Sequence, residues 1–410
     1  MRTLYSNIKQ LVQTEAPGDE KKVVKGAAMR EMNSIHDAWL LTENGRIVDF
    51  GSMASMPEGI HADEYHALHG KMILPTWVDS HTHLVFSHWR EKEFTERIQG
   101  LTYEEIAKRG GGILNSANRL AETDESALFD AAWQRLETVI QQGTGAIEIK
   151  SGYGLNTEQE LKMLRVIRRL KEQSPIPIKA SFLAAHTYPL AYRENHDGYI
   201  QLIINEMLPR VANEGLADYM DVFCEKGFFS REETEQLLEA GWRYGLKPKI
   251  HANQLYNSGG IQAGVKYKAI SVDHLETMDQ EEIECLLASN TMPTLLPAAA
   301  FFLKMHYQPA RQIIDAGLPV ALASDFNPGS CPSGNMNFVI SLACTQMNML
   351  PEEAIHAATI NGAAALELNH ELGSIARGKK AHFIITQPMP SLAYLPYRFG
   401  DSVIEQVVIA

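Results

Sequence analysis

From Lys71 onward, short apolar runs alternate with stretches of helical character, and this alternation restricts the chain to repeated β-α units built on a parallel sheet. The runs fall at 72–79, 145–150, 177–185, 218–224, 247–252, 269–274, 292–297 and 319–325. Eight such units predict a closed (β/α)8 TIM barrel. The helices between them start at readable signals: Thr157-Glu158-Gln159-Glu160 and Ser230-Arg231-Glu232-Glu233 both fit a capping box, in which a hydroxyl and a later glutamate satisfy free amides. Gly143, after Gln142, supplies a left-handed cap before the second strand.

The flanks read differently. Ala38-Trp39-Leu40-Leu41 and the stretch from Gly45 to Gly51 lie either side of the turn signal Glu43-Asn44-Gly45, and Ala381–Ile385 and Val403–Val408 lie near the other end. Neither flank has enough strands to bury a core alone. Both are therefore expected to pair into one small β-sandwich, with 1–70 and 371–410 enclosing a barrel of 71–370.

In such a barrel the chemistry sits at the C-terminal ends of the strands. Those ends carry His81 and His83, Lys150, His186, Glu225, His251, His274 and Asp325, so that every predicted strand except the seventh, which ends in Leu296-Pro297, delivers a polar group to one rim. Residues two apart on a strand point the same way, so His81 and His83 can meet at one point. His251 ends the run Lys249-Ile250-His251, and Asp325 ends Val320-Ala321-Leu322-Ala323-Ser324-Asp325. Imidazoles and carboxylates are costly to bury without partners. Three imidazoles and a carboxylate form a ligand set that suits zinc or iron and leaves room for a water.

Composition bounds the partners. A net charge of -13 over 410 residues argues against a nucleic-acid or anionic-membrane surface, so an anionic substrate must be met by a local cation. The stretch from Met1 to Gln10 lacks a signal-peptide core, and no window reaches membrane-spanning length, which predicts a cytoplasmic protein. Cys224, Cys285, Cys331 and Cys344 show no CxxC spacing and are expected to be reduced packing residues.

A His-x-His on strand one, histidines ending strands five and six and an aspartate ending strand eight resemble the amidohydrolase superfamily of metal-dependent hydrolases. More narrowly, Asp79-Ser80-His81-Thr82-His83-Leu84-Val85-Phe86, Glu148-Ile149-Lys150-Ser151-Gly152-Tyr153-Gly154-Leu155, Asp273-His274-Leu275 and Ala323-Ser324-Asp325-Phe326-Asn327-Pro328-Gly329 resemble the branch that opens an imidazolone ring in histidine degradation. The resemblance covers essentially the whole chain. It implies hydrolysis of the ring amide of 4-imidazolone-5-propanoate to N-formimidoyl-L-glutamate, with one divalent ion per subunit, zinc or iron, bound by His81, His83, His251 and Asp325. It places Arg90, Tyr153 and His186 around the substrate, with Gln254, Asn327, Gly329 and Ser330 lining the pocket, and it suggests a homodimer.

The chemistry follows these assignments. Arg90 offers a planar fork to the propanoate carboxylate. Asp325 is suited to hold and deprotonate the attacking water, His274 to orient that water or polarise the carbonyl, and either can return a proton to the ring nitrogen. Two residues depart from the branch: Asn253 stands where aspartate is common and Ser330 where threonine is common, the first predicting altered electrostatics beside the metal. Lys150, on strand two, is expected in an ion pair, since the strand-four position that holds the bridging lysine of binuclear relatives has Glu225. The rivals are purine or pyrimidine deaminases, which use a glutamate three residues after the strand-five histidine, and other cyclic amidases. Gln254 occupies that glutamate position and cannot exchange protons, which disfavours deamination.

Overall fold

The computed structural model describes every residue except 17, 19–21, 102–104, 106–108 and 110. Strand β1 (Arg2–Val12) pairs with β2 (Ser34–Glu43), which turns through Asn44 and Gly45, at φ 47° and 78°, into β3 (Arg46–Ser52). Two consecutive left-handed residues give the turn whose twist matches a hairpin, as the Asn-Gly pair predicts. On the other side of β1 lie β4 (Glu64–Ala67) and β5 (Met72–Pro75), both parallel to it. The far end of the chain returns to this sheet: β14 (Phe383–Thr386) pairs antiparallel with β5, and β15 (Ile404–Val408) pairs with β14. Ile47 N donates to Lys379 O at 2.9 Å and Ala381 N to Gly45 O at 2.9 Å, joining β3 to the segment that enters β14. The expected sandwich is thus a single sheet curled over one apolar cluster that includes Ile8, Leu11, Leu40, Phe50, Ile73 and Phe383.

The run expected to form one strand over 72–79 divides at Thr76. Its first half is β5 of the end sheet, and its second half, β6 (Trp77–Asp79), opens the barrel. Barrel strands β7 (Thr144–Lys150), β8 (Ile178–Ala185), β9 (Tyr219–Cys224), β10 (Lys247–Ala252), β11 (Ser271–His274), β12 (Met292–Leu295) and β13 (Ala321–Leu322) follow in spatial order, all parallel. The seventh and eighth strands are shorter than expected, because Pro297 starts a helix and the chain beyond Leu322 leaves the ladder.

Closure comes from residues just past β6 and β13. Asp325 N donates to His81 O at 3.0 Å, and His83 N donates to Phe326 O at 2.8 Å. One layer deeper, Asp79 accepts from Ser324 N at 2.9 Å and from Ser324 Oγ at 2.5 Å. The backbone that completes the barrel is therefore the backbone that carries the proposed ligands.

Helix starts follow the sequence signals with one correction. Ser230 and Glu233 form the predicted capping box, whereas the other helix, Thr157–Gln173, is capped by Asn156, whose side chain accepts from Gln159 N, and Thr157 is its first turn. At the junction of the two sheets packing is tight. A Cβ on Gly145 would lie 2.0 Å from Thr76 Oγ1 and 2.5 Å from Thr76 Cβ. Gly145→Ala is expected to lower unfolding free energy by about 1–3 kcal/mol through overpacking; an unchanged urea midpoint would show that the junction yields freely.

Candidate metal centre

His81, His83, His251 and Asp325 converge at the rim, all buried. His81 Nδ1 lies 2.6 Å from Asp273 Oδ2, and His251 Nδ1 lies 3.1 Å from Asp221 Oδ1, so each ring gives its N–H to a carboxylate and turns a bare Nε2 toward the centre. There His81 Nε2 and His83 Nε2 each stand 3.6 Å from Asp325 Oδ1, and His83 Nε2 and His251 Nε2 stand 3.3 Å apart. Ligand atoms about 2.1 Å from a tetrahedral ion are separated by roughly 3.4 Å, which these spacings match. His81 Nε2 has no hydrogen-bond partner among the described residues, and a buried nitrogen left in that state is accounted for by a cation. Burial holds the His81 and His83 pKa values well below the usual range and that of His251 at about 4, keeping the rings in the neutral form that binds metal.

Behind these rings is a layer of charge that the rim pattern did not announce. Lys150 Nζ bridges Glu148 Oε1 and Asp221 Oδ2 at 2.7 Å each, and Lys249 Nζ lies 3.2 Å from Glu148 Oε2. Burial works against ionisation of Lys150, but Asp221, Glu148 and Asp273 outweigh it and hold the ammonium protonated; burial likewise opposes ionisation of Asp221, and His251 and Lys150 reverse that. Lys150 is thus an ion-pair residue, as expected. Asp221 and Asp273 reach the metal centre through the imidazoles they orient.

A cavity of about 450 Å³ opens from this centre. His83, His251, Asp325, His274, Arg90, Tyr153, His186, Gln254, Asn327, Gly329 and Ser330 all line it. His186 stacks on His83 with ring centroids 5.1 Å apart, its Nδ1 lies 3.1 Å from Gly152 O, and burial lowers its pKa to about 3. Glu93 Oε2 accepts from Arg90 Nε at 2.8 Å and Nη2 at 2.7 Å, fixing the guanidinium plane. Gly329 is there because Arg90 is: a Cβ would stand 2.2 Å from Arg90 Nη1. Asn327 Oδ1 accepts from Gly329 N and Ser330 N at 2.8 and 2.7 Å, and Ser330 Oγ donates to Asp325 Oδ2 at 3.3 Å, so this loop braces a ligand while shaping the wall. Burial lifts the Asp325 carboxyl to about 6. Burial opposes protonation of His274, but Glu276, Asp325 and Asp273 outweigh it and raise its pKa.

One expectation is corrected. Glu225 does not face the centre: its carboxylate accepts from Leu255 N at 2.8 Å and Lys226 N at 2.8 Å, holding the loop that carries Gln254. Asn253 Nδ2 donates to Thr277 O at 2.9 Å, a bond an aspartate could not make.

A parallel barrel with three imidazoles and an aspartate gathered at its rim defines the class of metal-dependent hydrolases. The amidohydrolase family model matches residues 72–410. The chain is 56% identical to an imidazolonepropionase of Flavobacterium johnsoniae, over 100% of this chain and 99% of that one, and 54% identical to another from Christiangramia forsetii over the same shares. Among solved structures it resembles an adenosine deaminase from Xanthomonas campestris with bound zinc (TM-score 0.73, 15% identity, 99% of this chain and 91% of that one). It also resembles a guanine deaminase from C. acetobutylicum with guanine in the active site (TM-score 0.70, 15% identity, 100% and 99%). The chain belongs to the amidohydrolase family and, within it, to the imidazolonepropionases.

His251→Ala is expected to abolish stoichiometric metal, measured by elemental analysis of purified protein. Asp221→Asn should weaken metal affinity by roughly 10- to 100-fold in a chelator competition, because the imidazole loses its fixed orientation. Wild-type affinity in that variant would detach Asp221 from the centre.

Proposed function

We propose that the protein hydrolyses the ring amide of 4-imidazolone-5-propanoate to N-formimidoyl-L-glutamate, the ring-opening step of histidine degradation, with one zinc or iron ion per subunit held by His81, His83, His251 and Asp325. The observation that carries the reading is one cavity lined by His83, His251 and Asp325 of that cluster together with a guanidinium clamped in place by Glu93. When bound, the ion makes a water acidic enough to attack at neutral pH and draws charge from the amide carbonyl.

The chain's own groups supply the rest. Asp325 takes the proton of the attacking water as the new C–O bond forms, a task for which the seam hydrogen bond and Ser330 hold its carboxylate at the rim. His274 keeps a proton and donates a hydrogen bond to the carbonyl oxygen, where negative charge develops. As the C–N bond breaks, the proton held by Asp325 passes to the departing ring nitrogen. Tyr153 and His186 wall the ring, and Arg90 meets the propanoate, a pairing that a chain with net charge -13 must arrange locally. Gln254 lines the cavity with an amide that binds but exchanges no proton, which is adequate for ring opening and not for deamination.

Metal-loaded protein incubated with 4-imidazolone-5-propanoate should yield N-formimidoyl-L-glutamate and leave guanine, cytosine and hydantoin intact; turnover of one of those instead would overturn the reading. Arg90→Ala should raise KM by about 10- to 100-fold with kcat little changed, the equivalent of a lost charge-assisted pair of roughly 1.5–3 kcal/mol. An unaltered KM would remove Arg90 from carboxylate binding.

A further inference from the structure

Directly after β11 the backbone takes a path that side-chain-bearing residues rarely follow. His274 and Leu275 have φ of 93° and 68°. Consecutive left-handed residues other than glycine persist only where the surroundings enforce them. Here Leu275 N donates to Ala252 O at 3.1 Å, Thr277 N donates to Asn253 O at 2.9 Å, and Asn253 Nδ2 donates back to Thr277 O at 2.9 Å. The turn is bolted to the end of β10, beside His251.

Its effect is to bring Glu276 behind His274. Glu276 Oε1 lies 3.6 Å from His274 Nδ1, and the glutamate side chain is only 2% exposed. Among the described residues neither Glu276 oxygen has a hydrogen-bond partner, and neither does His274 Nδ1. A carboxylate shut away from water without a donor is expensive, and the unpartnered atom facing it belongs to His274, a rim imidazole outside the proposed ligand set. The gap exceeds a hydrogen bond and closes with a small rotation of either side chain; catalytic hydrogen bonds are often long in sites without substrate.

We propose that Glu276 is a positioning residue for the hydrolysis: its carboxylate accepts from His274 Nδ1, fixing the ring so that its other nitrogen faces the cavity beside Asp325. A buried acid that orients an imidazole from behind is a known way to hold one nitrogen on the substrate side. The proposal rests on the role given to His274 above. It also gives the strained turn a purpose, since only that turn brings residue 276 into contact with the ring of residue 274.

The test is a double-mutant cycle on the metal-loaded enzyme with 4-imidazolone-5-propanoate, using Glu276→Met, His274→Asn and the pair together. Glu276→Met replaces the buried acid by an apolar side chain of similar length, so metal content should not change, while thermal unfolding reads separately any stability lost with the partner of His274. Its kcat should nevertheless fall by about 10- to 100-fold with KM nearly constant. In the His274→Asn background the same substitution should cost nothing further, because a residue that acts through the imidazole has no effect once the imidazole is gone. Should Glu276→Met not fold, Glu276→Gln enters the same cycle with the same expected non-additivity. An undiminished kcat for the Glu276 variant, or an equal loss in both backgrounds, overturns the positioning role alone. Full turnover by His274→Asn removes His274 from the chemistry, and both readings fall.

Discussion

The barrel closes on the residues that make its metal centre. Among the described residues the joint between the first and eighth strands is a single parallel bridge, made by Asp325 N on His81 O and His83 N on Phe326 O and reinforced by Asp79 holding Ser324. Asp325 itself sits at φ 56°, a conformation that costs an aspartate of order 1–3 kcal/mol unless its neighbours enforce it. The seam hydrogen bond, Asn327 and Ser330 do so. Closure of the fold and convergence of two histidines with the carboxylate are therefore one event. A cation held here by the proposed ligands would tie the two ends of the barrel sheet together and add to stability as well as to chemistry.

The second constraint lies one layer down. Lys150 and Lys249 are enclosed with Glu148, Asp221 and Asp273 in the barrel interior, where lone charges are not tolerated. An apolar filling would be at least as stable. What the ionic layer adds is direction: Asp221 and Asp273 each accept an N–H from an imidazole above, selecting the nitrogen that faces the candidate metal centre, while Lys150 lies against both carboxylates.

The order of β-α units, the barrel and the convergence of His81, His83, His251 and Asp325 were legible because each rests on a local pattern that one strand expresses alone. What was hidden depends on three-dimensional neighbours. The apolar run over 72–79 shows no break, yet Thr76 divides it between two sheets, because the contact that separates the halves comes from Gly145 and His382. Glu225 ends a strand as His251 does, but its carboxylate finds loop amides first. The charged layer did leave a trace. Glu148 precedes Lys150, and Lys249 precedes His251, by the two residues that keep a side chain on the inner face, and Asp221 interrupts an otherwise apolar strand. Read with that alternation, those residues point inward below the rim. Glu276 left none, since its position depends on two left-handed residues that nothing in His-Leu foretells.

Similarity to deaminases in fold at 15% identity separates what the scaffold supplies from what the loops decide. The barrel can place a hydrolytic centre at its mouth without fixing which ring enters. In the proposed reading that choice falls to side chains on the connections: Arg90 after the first strand, locked by Glu93; Tyr153 between two glycines after the second; Gln254 on a loop pinned by Glu225; and Asn327, which folds the last loop so that Gly329 leaves space for the guanidinium. Glu93 fixes the first of these and Glu225 the loop that carries the third. A rigid rim of this kind selects by requiring a carboxylate at one distance from a polarised amide, and a neutral or differently proportioned ring cannot satisfy both ends at once.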